Sequence, residues 1–295
     1  MEKPKVIITG ANGQLGCEFR ALEQAFSDFE FVFASKLDLD VTVESWVKQF
    51  ITDHKPAAVV NCAAYTNVER AEDETENAHL GNALAAGFIA DACHETGSMM
   101  IHISTDYVFD GTSNKPYTES DSVNPINEYG KSKLEGERLV DEKIERHFTL
   151  RTSWVYGNFG HNFYKTMIRL AKERGSLSVV DDQFASPTYA GLLAADILRL
   201  LQKVIIKHEH VEYGLYHYTQ TGIASWFNFA QEIVSQSKLN VPVNAVKTGA
   251  FPTKAIRPVY SKLDTTKWEK QIGIPLYDWR DGLAMCLNNL PSPIH

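Results

Sequence analysis

An α/β fold, a doubly wound parallel sheet with a smaller C-terminal substrate-binding lobe, is the class this sequence predicts. Three observations point to it. Short apolar runs alternate with helical patterns from residue 5 to residue 152. The first run is followed at once by glycines at 10, 13 and 16, a spacing that suits a turn feeding a helix with a phosphate at its N-terminus. Past residue 152 the strand-like runs become short and irregular, while isolated aromatics and prolines accumulate.

The elements follow in order. Lys5 to Thr9 is a β-branched run, as expected for a strand buried on both faces of a parallel sheet. Glycine in Gly10-Ala11-Asn12-Gly13-Gln14-Leu15-Gly16 permits positive φ and close approach of the backbone to a pyrophosphate, the arrangement of a Rossmann-type nucleotide loop. A helix is expected over 18–25. The second strand, Phe29 to Ala34, ends in Ser35-Lys36 and not in an acidic residue. An acid there would hold a ribose 2′-hydroxyl and repel a 2′-phosphate, so NADP(H) is the preferred cofactor, with NAD(H) possible. A helix over 43–53 is expected to take Asp40 or Thr42 as its cap; Asp40 could equally bind an adenine amino group. A third strand over 57–61 leads into the small residues Cys62-Ala63-Ala64 and then Tyr65-Thr66. One long helix is expected over 74–96 and a fourth strand over 99–104, with Thr105 at its end. Strand 148–152, helices over 162–174 and 190–203, the strand Tyr216-His217-Tyr218 and a helix capped by Ser225 complete the pattern.

Tyr129 and Lys133 stand four apart on a charged helical stretch, and so share one face. A neighbouring ammonium favours the phenolate and is expected to pull the phenol down from its usual pKa of about 10. A hydroxyl at Thr105 could donate to a carbonyl oxygen and hold a ketone beside Tyr129.

Composition narrows the alternatives. The chain has 295 residues, 44% of them hydrophobic and 22% charged, with a formal net charge of −8, a balance that argues against nucleic-acid and anionic-membrane partners. Cys17, Cys62, Cys93 and Cys286 are scattered and read as small buried hydrophobes in a reducing compartment. No leader and no membrane span is expected, so a cytoplasmic protein is.

Taken together and in order, Gly10-x-x-Gly13-x-x-Gly16, Asn61-Cys62-Ala63-Ala64-Tyr65-Thr66, Ser104-Thr105-Asp106-Tyr107-Val108-Phe109-Asp110-Gly111, Tyr129-x-x-x-Lys133, Arg151-Thr152-Ser153-Trp154-Val155-Tyr156-Gly157 and Asp182-Gln183-x-x-Ser186-Pro187-Thr188 resemble the extended short-chain dehydrogenase/reductases. Within them they look most like the dTDP-4-dehydrorhamnose reductases. The resemblance implies NAD(P)H-dependent reduction of a 4-keto nucleotide sugar. The catalytic residues would be Tyr129, Lys133 and Thr105. Gly10, Asn12, Gly13, Gln14, Leu15, Gly16, Asp40, Val41, Ala63, Ala64, Tyr65 and Thr66 would bind the cofactor together with Tyr129 and Lys133. Thr105, Asp106, Tyr107, Trp154, Asn162 and Arg257 would contact the sugar nucleotide. Residues 1–152 would mainly form the NAD(P)-binding domain and 153–295 mainly the sugar-nucleotide lobe, with some segments returning to the first. Some relatives bind magnesium through glutamates at a subunit interface. Glu18 matches one such position, but Gly191 stands where the second would be, so Mg2+ is doubtful. A monomer or a homodimer is expected.

Two rivals remain at this level. A sugar-nucleotide epimerase, or another ketoreductase of the superfamily, would share the Thr-Tyr-Lys set. A dehydratase would carry an Asp-Glu pair after the threonine, whereas Asp106 is followed by Tyr107. A non-catalytic regulatory subunit of the methionine adenosyltransferase β type would bind without turnover, which the Thr105, Tyr129 and Lys133 set disfavours.

Overall fold

The apolar runs pair side by side, all parallel, in a computed structural model that describes residues 2–288. β1 (Lys5–Thr9), β2 (Glu30–Ala34), β3 (Ala58–Asn61), β4 (Met99–Thr105) and β5 (His147–Thr152) lie in the order β2-β1-β3-β4-β5. The strand Gly214–His217 then adds to the free edge of β5, so the chain returns to the sheet after leaving it. Because β2 lies on one side of β1 and β3 on the other, strand order reverses at β1. A crevice opens at such a reversal, outside the carboxyl ends of the strands.

Helices cover both faces, which is why β1, β3 and β4 read as nearly unbroken apolar runs. On one face, α1 (Gln14–Leu22) and the helix Ala190–Leu201 bury Phe19, Leu193 and Ile197 against Val6, Ile8 and Phe148. On the other, the helices Glu44–His54, Ala85–Thr96 and Glu128–Lys143 bury Val47, Ile51, Ile89 and Val140 against Ile7, Val59 and Met100. A separate core of Tyr156, Tyr164, Leu177, Phe229, Trp279 and Leu283 lies between the helices Phe163–Glu173, Trp226–Gln236 and Trp279–Leu287. Among the described residues no helix is long and apolar enough to cross a membrane.

Three local expectations need correction. α1 starts at Gln14 and not at 18, taking Gly16 into the helix. Neither Asp40 nor Thr42 caps the helix Glu44–His54: Val43 holds the cap position, and the Asp40 carboxylate closes its own turn on the Thr42 amide (3.1 Å) and hydroxyl (2.6 Å). The long helix over 74–96 is present but widens into a π turn at Leu80–Leu84. Ser225 caps its helix as expected, in a reciprocal box with Asn228.

Candidate active site

The site grows from the carboxyl ends of β1, β3, β4 and β5. Gly10 leaves β1 at φ +61°, and a Cβ there would stand 2.8 Å from the Ala63 nitrogen beyond β3. A Cβ on Gly16 would lie 2.5 Å from the Gly10 carbonyl oxygen, so α1 reaches the loop only because position 16 is bare. Gly13 opens α1 without a side-chain cap. The first amides of the helix are thus free of a side-chain acceptor, and the dipole favours an anion there. That donor set suits a dinucleotide pyrophosphate. Asn12 is exposed and Leu15 half-buried beside it. The side chain of Gln14, in contrast, turns to donate to the Val155 carbonyl (3.1 Å) and accept from Asn162 Nδ2 (2.6 Å).

Across the crevice, Tyr65 is held by a residue that the sequence did not single out. Asn82, on the π turn, accepts from the Tyr65 amide (2.8 Å) and donates to the Tyr65 carbonyl (3.0 Å) and to Ser132 Oγ (2.9 Å). A π turn re-aims a side chain within a helix, often at functional sites. No local pattern marks one, so only the fold reveals Asn82 as the tie between the cofactor-side loop and the helix of Tyr129. Ala64 and Thr66 lie exposed nearby, and Ala63 is half-buried. On the β2 side, Val41 is half-buried, Asp40 is engaged with Thr42, and the exposed Lys36 ammonium stands 3.7 Å from Asp40. Ser35 donates through its amide (2.9 Å) and hydroxyl (2.6 Å) to Asp38.

Asn127 caps the helix Glu128–Lys143 by accepting from the Gly130 amide. Gly130 lets that helix approach β4: a Cβ would stand 2.2 Å from the Tyr107 carbonyl oxygen. The approach brings Tyr129 beside the end of β4, where the Thr105 hydroxyl accepts from the Tyr107 amide (3.1 Å) and donates to Asp106 (3.2 Å). Tyr107 meets the Tyr129 ring edge-on at 5.9 Å. Asp106 is buried and accepts from Ser261 Oγ (2.5 Å) and Thr105 Oγ1 (3.2 Å). Burial raises its carboxyl to about 7. Arg257 is positioned by an ion pair to Glu69 at 2.5 Å.

Lys133 is almost wholly buried and donates to the Ile103 carbonyl at 2.6 Å. The expected depression of the phenol by this ammonium is not what the arrangement gives. Burial dominates and pushes Tyr129 up to about 12, with the Asp106 charge acting in the same direction and the neighbouring Thr105 hydroxyl against it. Burial also pulls Lys133 down to about 8. At neutral pH the site therefore holds a protonated phenol above a protonated amine.

Trp154 enters from the end of β5 at φ +47°, a left-handed conformation that costs a non-glycine residue on the order of 1–3 kcal/mol. Its ring stacks on Trp226 at 3.5 Å and 10°, and Gln183 accepts from the Trp226 indole N–H (3.2 Å). Neither Trp226 nor its tie to Gln183 was legible in the spacing.

Two expected residues lie apart. Asn162 caps the helix Phe163–Glu173 and donates to Gln14, Gly157 and Phe159, with no hydrogen bond to the Thr105–Tyr129 group; it ties the glycine loop to the second lobe. Glu18 is buried beneath Gly157, one oxygen without a partner, and burial raises it to about 7. A Cβ at Gly191 would lie 2.5 Å from the Tyr189 ring, which would have to shift for a side chain to stand there. Among the described residues no three metal-binding side chains gather.

The family model described as RmlD substrate binding domain matches residues 4–292. The dTDP-4-dehydrorhamnose reductase of Aggregatibacter actinomycetemcomitans is 42% identical over 285 residues, spanning 95% of this chain and 97% of that protein. The enzyme of the same name from Escherichia coli (strain K12) is 39% identical over 293 residues, 97% of each. Among solved structures, the dTDP-4-dehydrorhamnose reductase of Bacillus anthracis str. Ames in complex with NADP superposes with a TM-score of 0.92 at 40% identity, covering 98% of this chain and 100% of that one.

Proposed function

The chain belongs to the RmlD substrate binding domain family, and from that premise we propose that it is a dTDP-4-dehydrorhamnose reductase. It would reduce the 4-keto group of dTDP-4-dehydro-β-L-rhamnose to dTDP-L-rhamnose at the expense of NAD(P)H. Its relatives of that name, 42% and 39% identical over nearly the whole chain, support the substrate. The observation that carries the chemistry is that the fold sets Tyr129 edge-on to Tyr107 at the Thr105 end of β4, with Lys133 buried one turn further along the same helix.

The bound nicotinamide supplies the hydride that reaches the ketone carbon. The chain supplies the rest. Thr105 and Tyr129 together hold the keto oxygen, and Tyr129 gives its proton to the alkoxide as charge develops. A phenol kept protonated by burial is well suited to that donor role at neutral pH. Lys133 contributes positive charge beneath the site. Asp106 and Tyr107 shape the pocket with Arg257, and Trp154 offers a flat apolar face to the sugar. Gly10, Gly13 and Gly16 leave room for the pyrophosphate, and the free N-terminus of α1 receives it.

NADPH is the preferred donor in this reading. Ser35 and Lys36 occupy the end of β2 where an acid would disfavour a 2′-phosphate, and the Bacillus anthracis protein holds NADP. The test is an absorbance assay of NADPH and NADH consumption against dTDP-, UDP- and GDP-linked 4-keto sugars. Consumption of NADPH with the dTDP sugar is expected, falling by about 100-fold or more in Tyr129→Phe while cofactor still binds. Turnover confined to a UDP or GDP sugar, or near-normal turnover in Tyr129→Phe, would overturn it.

A further inference from the structure

Beneath the proposed reactive pair lies a buried ionic group that the chemistry above does not use. Glu137 is one turn past Lys133 on the same helix face and is buried, as are Arg151 and Ser104. Arg151 donates to both carboxylate oxygens of Glu137, Nε to Oε1 at 2.9 Å and Nη2 to Oε2 at 2.6 Å. Ser104 Oγ donates to Oε1 at 2.5 Å. Ser104 is the residue before Thr105, and Arg151 comes three residues before Trp154. One carboxylate thus fastens the helix of Tyr129 to the ends of β4 and β5, which carry the remaining candidate residues.

We infer that Glu137 is a positioning residue for the reaction: through Arg151 and Ser104 it locks the helix of Tyr129 and Lys133 in register with the two strand ends, and it sets its carboxylate one turn from the Lys133 amine. The inference rests on the proposed reductase reading of Tyr129 and Lys133. Among the described residues around Lys133, Glu137 is the carboxylate whose charge acts on the amine. From the end of β3 comes the Cys62 thiol, which burial keeps protonated. From β4 come the Ile103 carbonyl and His102, a buried imidazole that desolvation and the Lys133 charge hold neutral. Arg151 of β5 is tied to Glu137 itself. Tyr129, one turn earlier, is a neutral phenol at working pH. Burial lowers Lys133 and the Glu137 charge opposes that fall. Without the carboxylate the buried amine loses the charge that opposes its desolvation, which favours its neutral form.

The test is the pH profile of kcat/KM for NADPH-dependent reduction by three full-length variants. Glu137→Gln keeps the shape and removes the charge, and its basic limb is expected to move to lower pH by about one unit. Glu137→Gln combined with Arg151→Gln removes the orphaned guanidinium. A contact that was only structural would regain its stability without moving the limb, whereas loss of the counter-charge leaves the limb shifted. A wild-type limb in either variant would overturn the inference. Lys133→Met is the third arm: a variant with near-normal turnover would instead strike at the reductase reading itself, so the two failures are distinguishable.

Discussion

At the scale of single residues, burial decides more than sequence neighbours do. The Tyr129–Lys133 spacing suggested a phenol pulled down by an ammonium. Yet the ammonium turns to the Ile103 carbonyl, and desolvation raises the phenol to about 12. Glu18 shows the same physics outside the reactive group. Its carboxyl is raised from 4.5 to about 7 because it is buried with one oxygen unpaired. Between those two values the folded chain binds the proton that the unfolded chain has released. Stability is therefore full below pH 4.5 and falls as pH rises towards 7. The cost above pH 7 is about 3 kcal/mol. Glu18→Gln should remove that dependence, so that denaturant unfolding shows the variant gaining on the wild type at pH 8 but not at pH 4. An equal gap at both pH values would refute the assignment.

At the scale of elements, what local pattern encodes was readable and what packing encodes was not. The β-branched run ending at Thr9, the glycine spacing and the Ser225 cap announce themselves within a few residues. The start of α1 was placed late because Gly16 reads as a helix breaker. Its purpose is visible only against Gly10, 2.5 Å from where a Cβ would be. Asn82 escaped for a similar reason, since a π turn leaves no mark in the sequence. Asn162 was placed at the substrate by likeness, whereas its amide joins the glycine loop to the second lobe. The element-scale prediction concerns α1. Gly16→Ala forces backbone against backbone, so it should cost about 1–3 kcal/mol and weaken cofactor binding. NADPH titration by fluorescence, alongside thermal unfolding, measures both; unchanged affinity and melting temperature would contradict the close approach.

At the scale of the whole molecule, the parallel sheet and its alternation with helices followed from the apolar runs alone, because strands buried on both faces tolerate few polar residues. The return of Gly214–His217 to the edge of β5 did not, because strand pairing across some 60 residues is set by shape and not by local sequence. The same holds for the Glu137–Arg151 pair, two residues from different elements that meet only in the fold. What the assembled molecule brings together is a glycine loop with a free helix N-terminus, a protonated phenol set edge-on to Tyr107, and a tryptophan pair at the far wall. The central claim is that this arrangement delivers hydride to a sugar ketone and releases an oxidised cofactor. The most direct test uses NADPH deuterated at the hydride-donating position of the nicotinamide, with dTDP-4-dehydrorhamnose as acceptor. The account predicts one deuterium at C4 of the product sugar for each NADPH oxidised. A product without deuterium at C4, or turnover that leaves the NADPH unconsumed, would contradict it.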